Sequence, residues 1–269
     1  MTVILSACGN AGGGAASSGA ALTAAASAST QSSVSASSSM EASATSASAS
    51  GTQNGGDIMK NIRVFTQSSI KIQDGSKAIY IDPFQMKEAP KDADYILITH
   101  DHSDHFSPED IGKVAKSSSV LIVPEGMASK ASQVGSSVGS VETVKPGESR
   151  EISGLKLETV ASYNISKQFH PKSSGWVGYI LTVEGKRIYI AGDMDATPEA
   201  KAVKCDVAMV PIGGTYTMDA KEAAELINAI APEVAIPTHY GSVVGSPADA
   251  DTFSKNVKAP VKVEVILGK

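Results

Sequence analysis

Beyond residue 60 the chain alternates short apolar runs with turn-forming pairs, and the spacing of those runs predicts its elements. Residues 62–66 and 69–73 are rich in β-branched side chains, Asp74-Gly75 supplies a turn, and residues 78–81 complete a meander that ends at Asp82, Pro83 and Phe84. Residues 95–99 form a continuous apolar run, as expected of a strand buried on both faces. A helix is expected to start at Ser107, with Pro108 at its first position and Glu109 and Asp110 in its first turn, and to continue to about Lys116. A strand at 120–123, a short amphipathic helix at 127–133, and strands at 141–144 and 155–160 around a Pro146-Gly147 turn follow. Residues 162–174 are polar and irregular, and 176–183 with 187–191 read as a hairpin closed by Glu184-Gly185. Thr197-Pro198 opens a short helix, and 207–212 is a buried strand. The next helix, capped by Thr217 and running to about Ile230, carries Ala223, Leu226, Ile227 and Ile230 on one face. A strand at 234–237, a helix opening at Ser246-Pro247 and a closing strand at 261–266 complete the pattern.

Each half leads with strands and then alternates strands with helices. This order predicts an α+β fold in which two sheets pack face to face and helices cover their outer faces. Residues 11–57 break the pattern. They are mostly Ser, Ala, Gly and Thr, with no aromatic residue, and cannot bury enough surface to offset their ordering entropy. The expected division is therefore a disordered tether at 1–57 and one domain at 58–269, long enough for a substantial core.

Charge and cysteine usage narrow the function classes. The net charge is −5; setting aside Glu41 and Asp57 in the tether leaves −3 on the domain. No basic run appears, so nucleic acid is not an expected partner. The cysteines, Cys8 and Cys205, form no CxxC pair, and Cys205 reads as a free thiol at the start of a strand. No apolar run reaches membrane-spanning length.

The chemistry concentrates in His100, Asp101, His102, Ser103, Asp104 and His105, which hold three of the chain's five histidines. Imidazole nitrogen and carboxylate oxygen are ligands that zinc, iron and manganese accept. His100 and His102, two residues apart on extended backbone, turn their rings to one side. Asp104 and His105 follow as the chain bends, in a position to serve a second metal. His170 and His239 are the remaining imidazoles available to complete such a site. Tyr216, Tyr240 and Trp176 are candidates to line a substrate pocket or to serve as packing.

The hexapeptide resembles the HxHxDH signature of the metallo-β-lactamase superfamily. The later pieces follow in that family's order: His170, Asp193 after Ala191-Gly192, and His239 between Thr238 and Tyr240. Within the superfamily the chain looks most like metal-dependent hydrolases related to enzymes that act on ascorbate lactone and N-acyl phosphatidylethanolamine. The segments Gly192-Asp193-Met194-Asp195 and 211–218 carry that likeness. The resemblance implies a four-layer αββα sandwich and two divalent metal ions, zinc ahead of manganese or iron. It places His100, His102 and His170 on one metal, Asp104, His105 and His239 on the other, and Asp193 as the bridge. It further implies a metal-bridging hydroxide that cleaves an ester, lactone or phosphodiester bond of a small-molecule substrate, with Asp104 passing a proton to the leaving group. Relatives that hydrolyse phospholipids carry a histidine close after a strand, at the position of Asn164, so Asn164 competes with His170 for the first site. Gln67 stands where relatives place a histidine, and is expected to face the pocket without binding metal.

Leu5, Ser6, Ala7, Cys8 and Gly9 resemble the lipobox of bacterial lipoproteins, in which a signal peptide is cut before a lipid-carrying cysteine. The resemblance implies an extracytoplasmic domain, tethered to the cell membrane through lipid on Cys8. Only Met1 to Ala7 precede the cysteine, so this reading places the true start further upstream. Met59-Lys60-Asn61-Ile62 would open a cytoplasmic version of the same domain. A non-catalytic surface lipoprotein that binds metal or ligand is the alternative to a hydrolase.

Overall fold

The apolar runs become strands because two cores compete for alternate side chains of each one. A computed structural model describes residues 58–268. In chain order the strands are β1 (Ile62–Val64), β2 (Ile70–Asp74), β3 (Lys77–Ile81), β4 (Ala93–Leu97), β5 (Ala115–Pro124), β6 (Ser140–Val144), β7 (Ser149–Ile152), β8 (Leu155–Ala161), β9 (Val177–Val183), β10 (Lys186–Ile190), β11 (Val207–Pro211), β12 (Val234–Thr238) and β13 (Lys262–Val263). The helices are α1 (Pro108–Val114), α2 (Ala128–Ala131), α3 (Pro198–Lys201), α4 (Ala220–Ile230) and α5 (Pro247–Asn256). The first sheet holds β1 to β6 in sequence order, and the second runs β13-β12-β11-β10-β9-β8-β7.

In β4, Tyr95 and Leu97 point into the core between the sheets, while Ile96 points out against Ile111 and Val114 of α1. In β11, Val207 and Met209 point inward, and Ala208 and Val210 meet Leu226 of α4 and Phe253 of α5. With period-2 side chains, a strand buried on both faces must be apolar at every position. The layers are thus helices, sheet, sheet, helices: the four-layer αββα sandwich.

Three expectations change. β7 was not foreseen, because only Ile152 of its four residues is buried and an edge strand needs no apolar alternation. The cap of α4 is Asp219 rather than Thr217. The Asp219 carboxylate accepts from the N–H groups of Lys221 and Glu222, and the Glu222 carboxylate accepts from the Asp219 N–H. The Thr217 hydroxyl is spent on the Met218 carbonyl. The final strand is shorter than expected, because after Val263 the chain leaves β12 and reaches the other sheet, where Leu267 bridges to Val64.

Strand direction places the functional end. β4 runs parallel to β3 and β5. In the second sheet β8, β10 and β12 share one direction, since β9 is antiparallel to both its neighbours and β10, β11 and β12 are parallel. The Tyr179 hydroxyl donates to the Ile98 carbonyl at 2.7 Å, and the Val177 N–H donates to the Thr99 carbonyl at 3.2 Å. These bonds tie the carboxyl end of β4 to the second sheet. Residues that follow β4, β8, β10 and β12 therefore share one rim.

Asp110, in the first turn of α1, clamps that rim from outside. Its carboxylate accepts from the N–H groups of Gln85 and Met86 at 2.8 and 2.9 Å, and from Ser107 and Lys113. Burial opposes its ionisation, but the hydrogen bonds from Lys113, Ser107, Met86 and Gln85 outweigh it and hold the carboxyl below its ordinary range. Asp110→Asn should therefore cost about 1–3 kcal/mol at neutral pH. A depressed folded-state pKa stabilises above the unfolded value of about 3.9 and is lost as pH falls through the folded value. Denaturant melts of both proteins should accordingly differ at pH 7 and converge below about pH 4; a gap independent of pH would contradict this assignment.

Candidate metal centre

The seven residues singled out by the sequence meet at this rim. His100, His102, Asp104 and His105 lie on the loop after β4, Asp193 follows β10, and His239 follows β12 directly. His170 is delivered differently, by the irregular loop between β8 and β9. Three groups have ligand atoms within 4.8 Å of one another: His100, His102 and His170; His100, His105 and Asp193; and Asp104, His105 and His239.

Asp193 joins the two ends of this cluster. Its Oδ2 lies 3.1 Å from Nε2 of His239, 3.4 Å from Nε2 of His170 and 3.9 Å from Nε2 of His100, and its Oδ1 lies 3.4 Å from Nε2 of His105. Asp104 Oδ2 lies 3.3 Å from Nε2 of His239 and 3.6 Å from Nε2 of His105. The Nε2 atoms of His100, His105, His170 and His239 are buried without a well-formed hydrogen bond, as is Oδ1 of Asp193. Buried polar atoms are ordinarily paired, so five convergent orphans mark a place for a ligand. Nitrogen and oxygen donors of this kind suit zinc, manganese or iron.

The electrostatics divide the cluster. Burial pushes His100 and His102 below the ordinary imidazole range, and His170 down to about 4. These rings are neutral at pH 7, with a lone pair to offer. At the other end burial also disfavours charge, but Asp193 and Asp104 raise His239 to about 9, and Asp193 and Asp82 raise His105. In return His239 and His105 hold the Asp193 carboxyl well below its ordinary range, against the cost of burial. Asp104 is likewise drawn down to about 2, burial opposing and His239 and His105 prevailing.

Three braces orient these rings. Asp82, fully buried after β3, accepts from Nδ1 of His105 at 2.7 Å, from the Thr99 N–H at 2.8 Å and from the Thr99 hydroxyl at 2.6 Å. The Thr99 oxygen in turn lies 2.9 Å from Nδ1 of His100. With both Nδ1 atoms occupied, His100 and His105 turn Nε2 into the site. Asn164 donates its N–H to the His170 carbonyl at 2.8 Å and its side-chain amide to the carbonyls of Phe169 and Tyr216, with the amide 3.2 Å from Nδ1 of His170. The geometry thus puts His170 at the cluster and Asn164 behind it. Gln67 does not line the pocket as expected. It sits fully buried behind His239, its carbonyl accepting the His239 N–H at 3.0 Å and its Oε1 accepting the Val243 N–H.

Gln67, Asp82, His170 and His239 all have φ between 45° and 59°. Such backbone costs about 1–3 kcal/mol per non-glycine residue and persists where surrounding contacts impose it. Gly213 is part of that imposition: a Cβ there would run into the carbonyl oxygen of His239.

A profile of the β-lactamase superfamily domain matches residues 61–239. A UPF0173 metal-dependent hydrolase of Pyrococcus abyssi is 34% identical over 207 residues, covering 72% of this chain and 90% of that protein. The chain belongs to the metallo-β-lactamase superfamily, within the UPF0173 metal-dependent hydrolases. Among solved structures, a candidate metal-dependent hydrolase of Parabacteroides distasonis superposes with a TM-score of 0.63 at 29% identity, covering 76% of this hydrolase and 91% of the other chain. A candidate zinc-dependent hydrolase of the superfamily from Thermotoga maritima shares the fold, with a TM-score of 0.51 at 21% identity over 77% of this chain and 97% of that one.

Over the cluster this hydrolase opens a cavity of about 250 Å³, with His102, Asp104, His170, Asp193 and His239 at its base. Tyr216 lines it, whereas Tyr240 is buried in the core against the outer helices. Trp176 packs beside the histidines, its ring 5.1 Å from those of His100 and His102. The residue that sequence reasoning passed over is Asp82. No local signal marks it: only the parallel pairing of β3 with β4, with Ile81 opposite Leu97, brings the carboxylate after one strand beside the histidines after the other. Asp82→Asn should keep the thermal melt cooperative while lowering zinc affinity about 10–100-fold in a chelator competition. Unchanged affinity would remove Asp82 from the metal centre.

Proposed function

We propose that the chain hydrolyses an ester, lactone or phosphodiester bond with the help of two divalent cations, zinc ahead of manganese or iron. The observation that carries this reading is the buried Asp193 carboxylate, with the Nε2 atoms of four imidazoles within 3.1–3.9 Å of it. His100, His102 and His170 would hold one cation, Asp104, His105 and His239 the other, and Asp193 would serve both. Bound cations would lower the pKa of water toward neutrality and stabilise negative charge on the scissile oxygen. The other tasks fall to the chain. Asp82 and Thr99 orient two of the rings, and the neutral imidazoles of the first group need lose no proton to accept a metal. Asp104 is the carboxylate open to the cavity, its side chain 17% exposed against 3% for Asp193. Ionised at neutral pH, its carboxylate can accept a proton and release it to the leaving group.

Protein purified without chelator should contain close to two equivalents of metal and hydrolyse some member of a panel of p-nitrophenyl esters, lactones and phosphodiesters. Asp104→Ala should lower kcat by at least about 100-fold, the usual contribution of a positioned proton-transfer group. Two tightly held equivalents with no turnover of the panel would favour a binding lipoprotein instead.

We also propose an extracytoplasmic placement through lipid on Cys8, supported by the residues around that cysteine and the Ser/Ala/Gly stretch after it. Both lie outside the described residues, and among the described residues no helix is long and apolar enough to cross a membrane. Expressed from its own gene in a bacterial host, the protein should incorporate labelled palmitate, and Cys8→Ser should not. Equal labelling of both, or of neither, would leave the cytoplasmic alternative.

A further inference from the structure

The wall of the cavity differs in character from its base. Above the histidines and carboxylates it is formed by Phe169, Tyr216 and Val243, with Ser103 as the remaining member. The Phe169 and Tyr216 rings meet edge to face at 4.7 Å. Phe169 and Val243 are 47% and 51% exposed, and Ile165, on the same loop as Phe169, is 64% exposed. Val141 is the single other large apolar side chain so exposed among the described residues. Exposed apolar surface that gathers at one concave mouth, in place of a scatter, marks a binding surface.

Cations are missing from the same wall: no Lys or Arg lines the cavity. Lysines of α2 and of the loop between β8 and β9 are already paired. Lys167 binds the Asp195 carboxylate and approaches Glu222 at 3.7 Å, Lys130 binds the Asp101 carbonyl and lies 3.4 Å from its carboxylate, and Lys172 pairs with Glu199 at 2.7 Å. Sites that recognise phosphate or carboxylate commonly present Arg, Lys or a row of backbone N–H groups to it. An apolar wall without a free cation suits a substrate that carries no charge beyond its reacting bond.

We infer that the substrate carries an uncharged aliphatic or aromatic substituent beside its scissile bond, with the substituent seated on Phe169, Tyr216 and Val243. This rests on the hydrolase reading above and narrows it. The class that the wall disfavours is a substrate with a charged substituent; the scissile bond itself would sit at the base, beside the metal ligands. On hydrolysis of such an ester the acyl–oxygen bond breaks, water supplies the hydroxyl of the acid, and the alcohol oxygen takes the proton.

The test uses the metal-loaded full chain, with metal content measured for every variant. Across p-nitrophenyl acetate to octanoate, kcat/KM should rise with chain length, by at most about fourfold per methylene buried. A p-nitrophenyl ester whose acyl chain ends in a carboxylate should be turned over more slowly than the uncharged ester of the same length. Phe169→Ser and, on a separate segment, Val243→Ser should flatten the length dependence, chiefly through KM, without loss of metal. Calorimetric titration with unreactive aliphatic methyl ketones of increasing length should follow the same trend and lose it in both variants. Ester turnover without length dependence, or a preference for the carboxylate-ended ester, would overturn the inference while leaving a hydrolase. Absence of turnover with length-dependent ketone binding would overturn the hydrolase reading and keep the apolar pocket. Absence of both would overturn the two together.

Discussion

The structure is arranged around a carboxylate that has been taken out of water. Asp193 is 4% exposed, and an ionised carboxyl in such a place is tolerated only with opposite charge or donors close by. Here His239 and His105, with Nε2 3.1 and 3.4 Å from the carboxylate and drawn from two separate stretches of chain, supply that environment. The arrangement is self-consistent without metal, because His105 and His239 carry the protons that balance the acids. It is also ready for metal, because divalent cations would replace those protons on the same atoms.

Holding the cluster in place requires support that the ligands themselves cannot give. The left-handed backbone at Asp82, His170 and His239 is unfavourable for residues with a Cβ, and each is held by a hydrogen bond from a neighbouring segment. Asp82 donates its N–H to the Leu97 carbonyl, the His170 carbonyl accepts the Asn164 N–H, and His239 donates its N–H to the Gln67 carbonyl. Gly192 and Gly213 let backbone approach where a side chain would collide, with Ser162 and Thr99 in one case and His239 in the other. The strain is thus stored beside the functional atoms and sustained by the two sheets, whose cores lock the strands that carry it.

Much of this was legible from local pattern. Residues 95–98 and 207–210 had to be apolar throughout, since both faces of β4 and β11 are covered, and that run announced buried strands. The density of histidine at 100–105 announced the site. Features whose determinants lie across the fold were hidden. β7 gives no alternating signal because it lies at an edge, and Asp219 rather than Thr217 caps α4 because the threonine hydroxyl is drawn to the Met218 carbonyl. Gln67 was expected at the pocket, yet supports His239 from behind, a relation between residues 172 positions apart.

Sequence alone determined the element order apart from β7, the two-sheet sandwich and the set of side chains able to meet a metal. These follow from side-chain periodicity and from the chemistry of imidazole and carboxylate, which are properties of residues. Tertiary structure decided which partner each takes: that Asn164 stands behind His170, that Asp82 orients two histidines, and that Asp193 lies between the two groups. It also decided that the wall above them is apolar and without a free cation. Those outcomes depend on distances set by strand register and by the packing of one sheet on the other, and no local stretch of chain encodes them.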